Sequence, residues 1–304
     1  MGKALADAFP QARAVFAEVD DALSQKLSAL MFEGPESDLT LTANAQPALM
    51  AVSLAALRVL EAEAGVDVGR DAQFVAGHSL GEYSALAAAG ALSLADAARL
   101  LRIRGRAMQQ AVPVGQGAMA ALLGLDYETG VAVAEQAARE TGLVCQIAND
   151  NGGGQVVVSG AKVAVERAID IAKTRGARRA MALPVSAPFH CALMRPAADA
   201  MAEALAGTRV NAPVAPLVAN VTARPVSDPQ TIRETLVAQV TGAVRWRESV
   251  AFMAEAGVDR FVEIGAGKVL TGLLKRIAEN ARGLSVGAPG DLAAFIAARS
   301  ADPS

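Results

Sequence analysis

The chain has 304 residues, 53% of them apolar and 19% charged, which suffices to bury a large core and excludes a disordered or fibrous protein. Its 28 basic and 31 acidic residues give a formal charge of -3 with no basic cluster, so nucleic acid is not an expected partner. Cys145 and Cys191 form neither a disulfide framework nor a CxxC pair, as expected in a reducing cytosol.

The opening MGKALADAFP is amphipathic and lacks a basic start followed by an apolar run, so no signal peptide is expected. Apolar residues recur at helical spacing from Gln11 to Phe32 and again from Ala43 to Ala64. Within the second stretch, Gln46, Pro47 and Arg58 interrupt the apolar run, leaving it short of the ~20 residues that span a bilayer. No membrane partner is expected, and a soluble cytoplasmic protein is. The strand QFVAG then turns abruptly into the helix LGEYSALAAAG, which Gly90 ends. Ser93, with Asp96 three residues on, caps the next helix, which runs to about Ala111 before Pro113.

From Gly117 to Val185 the order changes to strand AMAALLGL, helix Asp126–Glu140, strand LVCQIAN, turn DNGGG, strand QVVVSG, helix Val163–Arg175 and strand ARRAMALPV. This β-α-β-β-α-β order is that of a ferredoxin-like unit and predicts a small domain inserted at 115–187. Helices and strands alternate again afterwards: a helix Ala192–Ala206, the strand PLVANVT, helices near Ile232–Val240 and Arg247–Ala256, the strand RFVEIG, the helix VLTGLLKRIAEN, the strand LSVGA and a helix Asp291–Arg299. The prediction is an α/β protein: an α/β-hydrolase-like large domain from 1–114 and 188–304 with a mostly parallel sheet, plus the inserted domain.

Gly77-His78-Ser79-Leu80-Gly81 matches G-x-S-x-G between an apolar strand and a helix, the context of a nucleophile elbow. The glycines are expected where a side chain would crowd the neighbouring strand and helix. Ser79 would stand at a helix N-terminus, with the Leu80 N–H as the natural first oxyanion donor. The hydroxyl needs a base, and the chain has two histidines. His78 adjoins the serine and would point away from it, which leaves His190 in PVSAPFHCAL. The third member is open, because Asp126, Asp150 and Asp170 all fall in the inserted domain.

The helix after Ser93 carries four arginines. At ~100° per residue, Ala97, Leu100, Leu101, Met108 and Ala111 form an apolar stripe. Arg99, Arg102 and Arg106 fall on the opposite, solvated side, whereas Arg104 lies within the stripe. A buried guanidinium needs an anion or a polar cavity, supplied either by an internal acid or by a substrate carboxylate held as a bidentate pair.

Together TANAQPALM, AGHSLGEYSALAAAGALSL, RIRGRAMQQAVP, GAMAALLGL, VSAPFHCALM and VEIGAGKVLTGLLKRI resemble the malonyl-CoA:acyl carrier protein transacylase family, over essentially the whole chain. The resemblance implies Ser79 as nucleophile, His190 as base and Arg104 as clamp for the malonyl carboxylate. It implies that the main-chain carbonyl of Gln239 orients the histidine in place of a carboxylate. It also places Phe189, Met119, Asn149 and Asn151 against the substrate, with Phe189 favouring malonyl over methylmalonyl and the two asparagines lining the pantetheine channel. Family members start with a strand and an F-P-G-Q-G-S-Q loop whose glutamine N–H is the second oxyanion donor. No such motif precedes Met1, and GQGAM at Gly115–Met119 belongs to the inserted segment, so a start upstream of Met1 is expected.

The expected reaction is ping-pong transfer of malonyl from malonyl-CoA to the pantetheine thiol of an acyl carrier protein, for fatty acid biosynthesis, through a malonyl-Ser79 ester. Neither metal nor bound cofactor is expected, since no ligand cluster has metal spacing, and a monomer is the default. The alternatives are a serine thioesterase or esterase using the same elbow, and an inactive homologue acting as a carrier-binding module.

Overall fold

Apolar residues at helical spacing build a helical layer that carries one wall of the site. The structure is a computed structural model describing residues 1–185 and 187–300. Ser186 and residues 301–304, which the expected domain limits take in, lie outside the described residues. The layer begins with α1 (Lys3–Ala8), α2 (Pro10–Leu23), α3 (Leu27–Glu33), α4 (Glu36–Leu39), α5 (Thr42–Ala64) and α6 (Val68–Asp71). The single helix expected over Gln11–Phe32 divides into α2 and α3. Ser24 takes a left-handed φ of 49°, and Asp20 accepts hydrogen bonds from the Ser28 N–H and hydroxyl at 2.8 and 2.6 Å, which stops one helix and starts the next.

α5 has 23 residues and, by length and composition, would be long enough to cross a membrane, contrary to the reading of its interrupted apolar run. About two-thirds of its apolar window is packed inside the protein, as in a core helix. α7 (Gly81–Ala88) and α8 (Leu94–Gln110) follow, and α8 starts with a reciprocal cap between Ser93 and Asp96. α8 crosses the start of α5 at Gly105, where an added Cβ would sit 2.6 Å from Ala43 Cα and the Thr42 carbonyl oxygen. This close approach sets Arg104 beside Gln46 of α5. It also covers Arg102, which is buried and donates to Asn44 Oδ1, whereas Arg99 and Arg106 are exposed. The expectation that Arg102 is solvated is therefore corrected: the start of α5 roofs that side of α8.

β1 (Gly117–Leu123), α9 (Tyr127–Thr141), β2 (Cys145–Asp150), β3 (Gln155–Ala161), α10 (Lys162–Thr174) and β4 (Arg179–Ala182) form an antiparallel four-stranded sheet of order β2-β3-β1-β4 with two helices. Side chains alternate across the sheet. Ala120, Leu122, Val156 and Val158 pack against α9 and α10, while Met119 and Val157 face the other way and meet Leu183 and Phe189.

A 3₁₀ turn (Ala192–Met194) leads into α11 (Arg195–Ala206), then β5 (Leu217–Ala219), β6 (Arg224–Val226), α12 (Pro229–Thr241), α13 (Trp246–Glu255), β7 (Arg260–Ile264), α14 (Val269–Ile277), β8 (Arg282–Val286) and α15 (Pro289–Ser300). The protein is thus mixed α/β. Among the described residues, parallel pairing is limited to β7 with β8 and to single bridges of Val75 with Leu217 and Asn149 with Val244. The expected strand QFVAG contributes only Val75 to pairing, because the chain enters its sharp turn two residues later, at Gly77.

Gly105→Ala is expected to force α5 and α8 apart and to cost about 1–3 kcal/mol. Urea unfolding would register this as a lower midpoint at unchanged slope; an unchanged midpoint would show that the crossing has slack.

Candidate active site

The chain reverses between Val75 and α7 in a turn that only a narrow set of residues permits. A Cβ on Gly77 would lie 2.0 Å from the carbonyl carbon and oxygen of Gly81, so no side chain fits there. Gly81 itself faces open space, which corrects the expectation that both glycines are sterically required. Ser79 sits at the apex with φ 53°, a left-handed conformation that costs a non-glycine residue about 1–3 kcal/mol. Asn220, at the end of β5, holds this backbone from both sides: its Oδ1 accepts the Ser79 N–H at 2.8 Å and its Nδ2 donates to the Gly77 carbonyl at 2.8 Å. The neighbouring Leu80 N–H meets no acceptor among the described residues and lies at the N-terminus of α7.

His190 reaches the same point from the loop before α11, with φ 60°. Cys191 Sγ donates to the Pro188 carbonyl at 3.2 Å, and the Ala192 N–H donates to Gln146 Oε1 of β2 at 2.7 Å, so the small sheet helps to hold this loop. His190 Nε2 lies 2.8 Å from Ser79 Oγ, and its Nδ1 lies 2.9 Å from the Gln239 carbonyl oxygen on α12. A carbonyl can only accept, so Nδ1 carries the proton and Nε2 offers its lone pair to the serine hydroxyl. Burial, with the Arg104 charge next, lowers the His190 pKa to about 3, against the opposing Gln239 hydrogen bond. The imidazole is therefore neutral throughout the physiological range and ready to accept a proton.

Arg104 is 1% exposed. Its Nη1 donates to Gln46 Oε1 at 2.7 Å, and its Nη2 donates to Gln239 Oε1 at 2.7 Å and to Ser79 Oγ at 3.0 Å. Nε has no hydrogen-bond partner among the described residues, and the guanidinium carbon lies 5.8 Å from the centre of the Tyr83 ring. None of these contacts is with a carboxylate. The nearest acid in the network, Glu82, is fully buried and is linked to Arg104 through Gln239. Its Oε1 accepts the Asn220 N–H at 2.6 Å and its Oε2 accepts from Gln239 Nε2. Burial raises the Glu82 pKa to about 8, against these two hydrogen bonds and the Arg104 charge.

The structure thus brings Ser79, His190, Arg104, the Leu80 N–H and the Gln239 carbonyl together. Phe189 and Met119 pack in one cluster beside His190 on the inner face of the small sheet. Asn151 accepts from His78 Nε2 at 2.9 Å, one residue from the nucleophile candidate, and His78 leans on the Trp246 ring instead of reaching the serine hydroxyl. Asn149 is 7% exposed in β2, bridged to Val244. Sequence reasoning missed Asn220, Glu82, Gln46 and the Gln239 side chain. Two of them left a trace as polar interruptions, Glu82 in LGEYSALAAAG and Gln46 in an otherwise apolar stretch.

A hydroxyl bonded to a neutral imidazole, an unpaired N–H beside it and a buried cation in contact can together take an acyl group onto oxygen and select an anionic one. On this α/β framework the class so defined is the acyl transferases, and the family described as the acyl transferase domain matches residues 1–288. The chain belongs to the malonyl CoA-acyl carrier protein transacylase family. It is 46% identical over 292 residues to the malonyl CoA-acyl carrier protein transacylase of Escherichia coli strain K12, covering 96% of this chain and 93% of the relative. The Bacillus subtilis strain 168 protein of the same name is 45% identical over 289 residues, 95% of this chain and 89% of its own. The crystal structure of an acyl-carrier-protein-S-malonyltransferase from Bartonella henselae superposes with a TM-score of 0.95 at 57% identity, covering 99% of this chain and 95% of that one. A type II PKS acyl-carrier protein in complex with its malonyl-transacylase gives 0.93 at 44%, covering 98% and 94%.

Two outcomes are expected. Gly77→Ala should abolish the soluble fold or the elbow geometry, whereas Gly81→Ala should raise the melting temperature slightly, since alanine gains about 1 kcal/mol over glycine in a helix; equal behaviour of the two variants in a thermal melt would contradict the asymmetry. The pH profile of kcat/KM should show no acid limb near 6.5, because a His190 pKa of about 3 keeps the base neutral down to about pH 4. Removing the Arg104 charge removes one cause of that lowering, so Arg104→Ala should bring the limb upward.

Proposed function

We propose that this protein transfers a malonyl group from malonyl-CoA to the pantetheine thiol of an acyl carrier protein, in fatty acid biosynthesis, through a malonyl ester of Ser79. The observation that carries the reading is a buried guanidinium 3.0 Å from the serine hydroxyl whose contacts are neutral amides and hydroxyl, with no carboxylate among them. A malonyl group supplies the missing anion. Its carboxylate replaces Ser79 Oγ as an acceptor of Arg104, which frees the hydroxyl for attack and fixes the acyl carbon beside it.

His190 Nε2 takes the Ser79 proton as Oγ adds to the thioester carbonyl. The oxyanion forms against the Leu80 N–H, and the carbon–sulfur bond breaks as the imidazolium returns the proton to the departing coenzyme A sulfur. The carrier's thiol then repeats these steps in reverse, giving its proton to His190 and taking the malonyl group from the ester. The carbonyl of Gln239 accepts from Nδ1 throughout and serves where other sites use a carboxylate. The coenzyme A thioester is a substrate, and no metal or resident cofactor enters the proposed steps. Phe189 and Met119 would bound the acyl pocket, and Asn149 and Asn151 the pantetheine approach.

The domain reading belongs to the same proposal: an α/β-hydrolase-like large domain, 1–114 and 188–304, with a ferredoxin-like domain, 115–187, inserted. The β2-β3-β1-β4 order and the packing of α9 and α10 on one face support the second part. A cytoplasmic monomer fits this role.

Arg104→Ala is expected to cost malonyl transfer about 3–5 kcal/mol more than acetyl transfer, the cost of leaving a buried charge unpaired. Single-turnover assays with both coenzyme A esters measure it, and equal losses would remove the clamp. Release of free malonate in place of malonyl-carrier would make the protein a hydrolase instead.

A further inference from the structure

Glu82 is the one acid of α7, wholly buried, and no step of the proposed reaction uses it. Its two oxygens receive two donors: the Asn220 N–H at 2.6 Å and one hydrogen of Gln239 Nε2. The second hydrogen of Nε2 goes to the Ser79 carbonyl at 2.9 Å, and Gln239 Oε1 then has one orientation left, toward Arg104 Nη2 at 2.7 Å. The same residue's main-chain carbonyl receives His190 Nδ1.

The side-chain amide of Gln239 is symmetric in shape and could face either way. Turned over, it would set an amide oxygen against the Ser79 carbonyl and an NH₂ against a guanidinium, and it would take the Nε2 donor away from Glu82. The Ser79 and Arg104 contacts would both change from favourable to repulsive, whatever the protonation of Glu82. Asn220 ties the other end, since the side chain that clamps the Gly77–Ser79 backbone belongs to the residue whose N–H meets Glu82.

We propose that Glu82 is a positioning residue for acyl selection: by accepting from both Asn220 and Gln239 it fixes the Gln239 amide so that its oxygen aims Arg104 at the acyl site. The inference rests on the reading of Arg104 as the carboxylate clamp. It explains why an acid stands at the base of the elbow, where an apolar residue would be easier to bury. Groups facing this carboxyl region are Arg104 from α8, Tyr83 from its own helix, Asn220 from β5 and Gln239 from α12.

Glu82→Gln is nearly isosteric but has a single acceptor oxygen. The Asn220 N–H, fixed in the main chain, keeps that oxygen, so the new NH₂ confronts Gln239 Nε2 and drives the amide over, taking its oxygen away from Arg104. The expected result is a KM for malonyl-CoA raised on the order of tenfold to a hundredfold, the worth of one hydrogen bond to a charged group, with acetyl-CoA transfer changed about twofold or less. Gln239→Met should lose malonyl transfer at least as strongly as Glu82→Gln, and the double variant should be no worse than Gln239→Met alone, because Glu82 acts through that amide.

Losses equal for malonyl and acetyl, or losses that add in the double variant, would reduce Glu82 to a general structural role and overturn the proposal. If Glu82→Gln does not fold, Glu82→Asp decides. Its carboxylate is withdrawn by one methylene, so it must lower the malonyl-to-acetyl ratio, and a ratio equal to the parent's overturns the proposal. The parent protein and Arg104→Ala are assayed alongside. A parent with no preference that depends on Arg104 would fail the clamp itself, a result distinct from a selective parent with a Glu82→Gln variant that matches it.

Discussion

A guanidinium does not give up its proton inside a protein, so burying one commits the surrounding structure to solvating a permanent charge. Arg104 sits on the apolar stripe of α8, and the protein solvates it with amide oxygens from two other helices, Gln46 on α5 and Gln239 on α12. Amides supply dipoles without net charge, so the positive field is directed and left largely uncancelled. Much of the architecture follows from this. The Gly105 crossing brings α5 within reach, α12 is held where one residue can serve both Arg104 and His190, and the elbow leading into α7 carries the serine three residues before the acid that orients the amide.

The reacting groups sit on strained backbone, and the strain is borne by contacts distant in sequence. Ser79 and His190 both have positive φ without being glycine, at about 1–3 kcal/mol each. For Ser79 the restraint is Asn220, 141 residues away, gripping the turn at two points. For His190 it is Gln146 of β2 and the carbonyl of Gln239. The small antiparallel sheet therefore does more than cover the site, because its edge strand anchors the loop that carries the imidazole.

This division explains what could be read from the chain. The serine was legible from local geometry, a G-x-S-x-G turn between an apolar segment and a helix. Arg104 was legible because helical periodicity shows when a charge occupies an apolar position, and His190 because only two histidines exist and one adjoins the serine. The α/β class and the β-α-β-β-α-β succession of elements in the middle of the chain followed from alternating patterns. Asn220, the Gln46 contact and the Gln239 side chain were not legible, since each acts through a partner 58 or more residues distant and no spacing rule reports such a meeting. Arg102 was misplaced for a related reason: periodicity locates a face of a helix and does not show what covers it. Gly81 was overinterpreted because a motif fixes residue types without distinguishing steric necessity from tolerance, and of the two motif glycines it is Gly77 that has backbone within contact of its missing side chain.

Under the proposed chemistry the uncancelled charge acts on two groups with a common sense. Burial and the field of Arg104 together hold His190 far below the usual imidazole range, which keeps it neutral and also makes it a weak base. An acyl group ending in a carboxylate pairs with the guanidinium and offsets its field, so the imidazole regains basicity as the thioester carbonyl comes into range of Ser79. An acetyl group has no charge to offer and leaves the field opposed only by the amides. Selection and activation are then one electrostatic event, and a neutral acyl group loses on both counts: weaker binding, and a base less willing to take the proton. Replacing Gln239 or Gln46 by an acid would cancel the charge permanently. That would restore the basicity of His190 while closing the site to the anion, and it gives a physical reason for solvating Arg104 with amides instead of carboxylates.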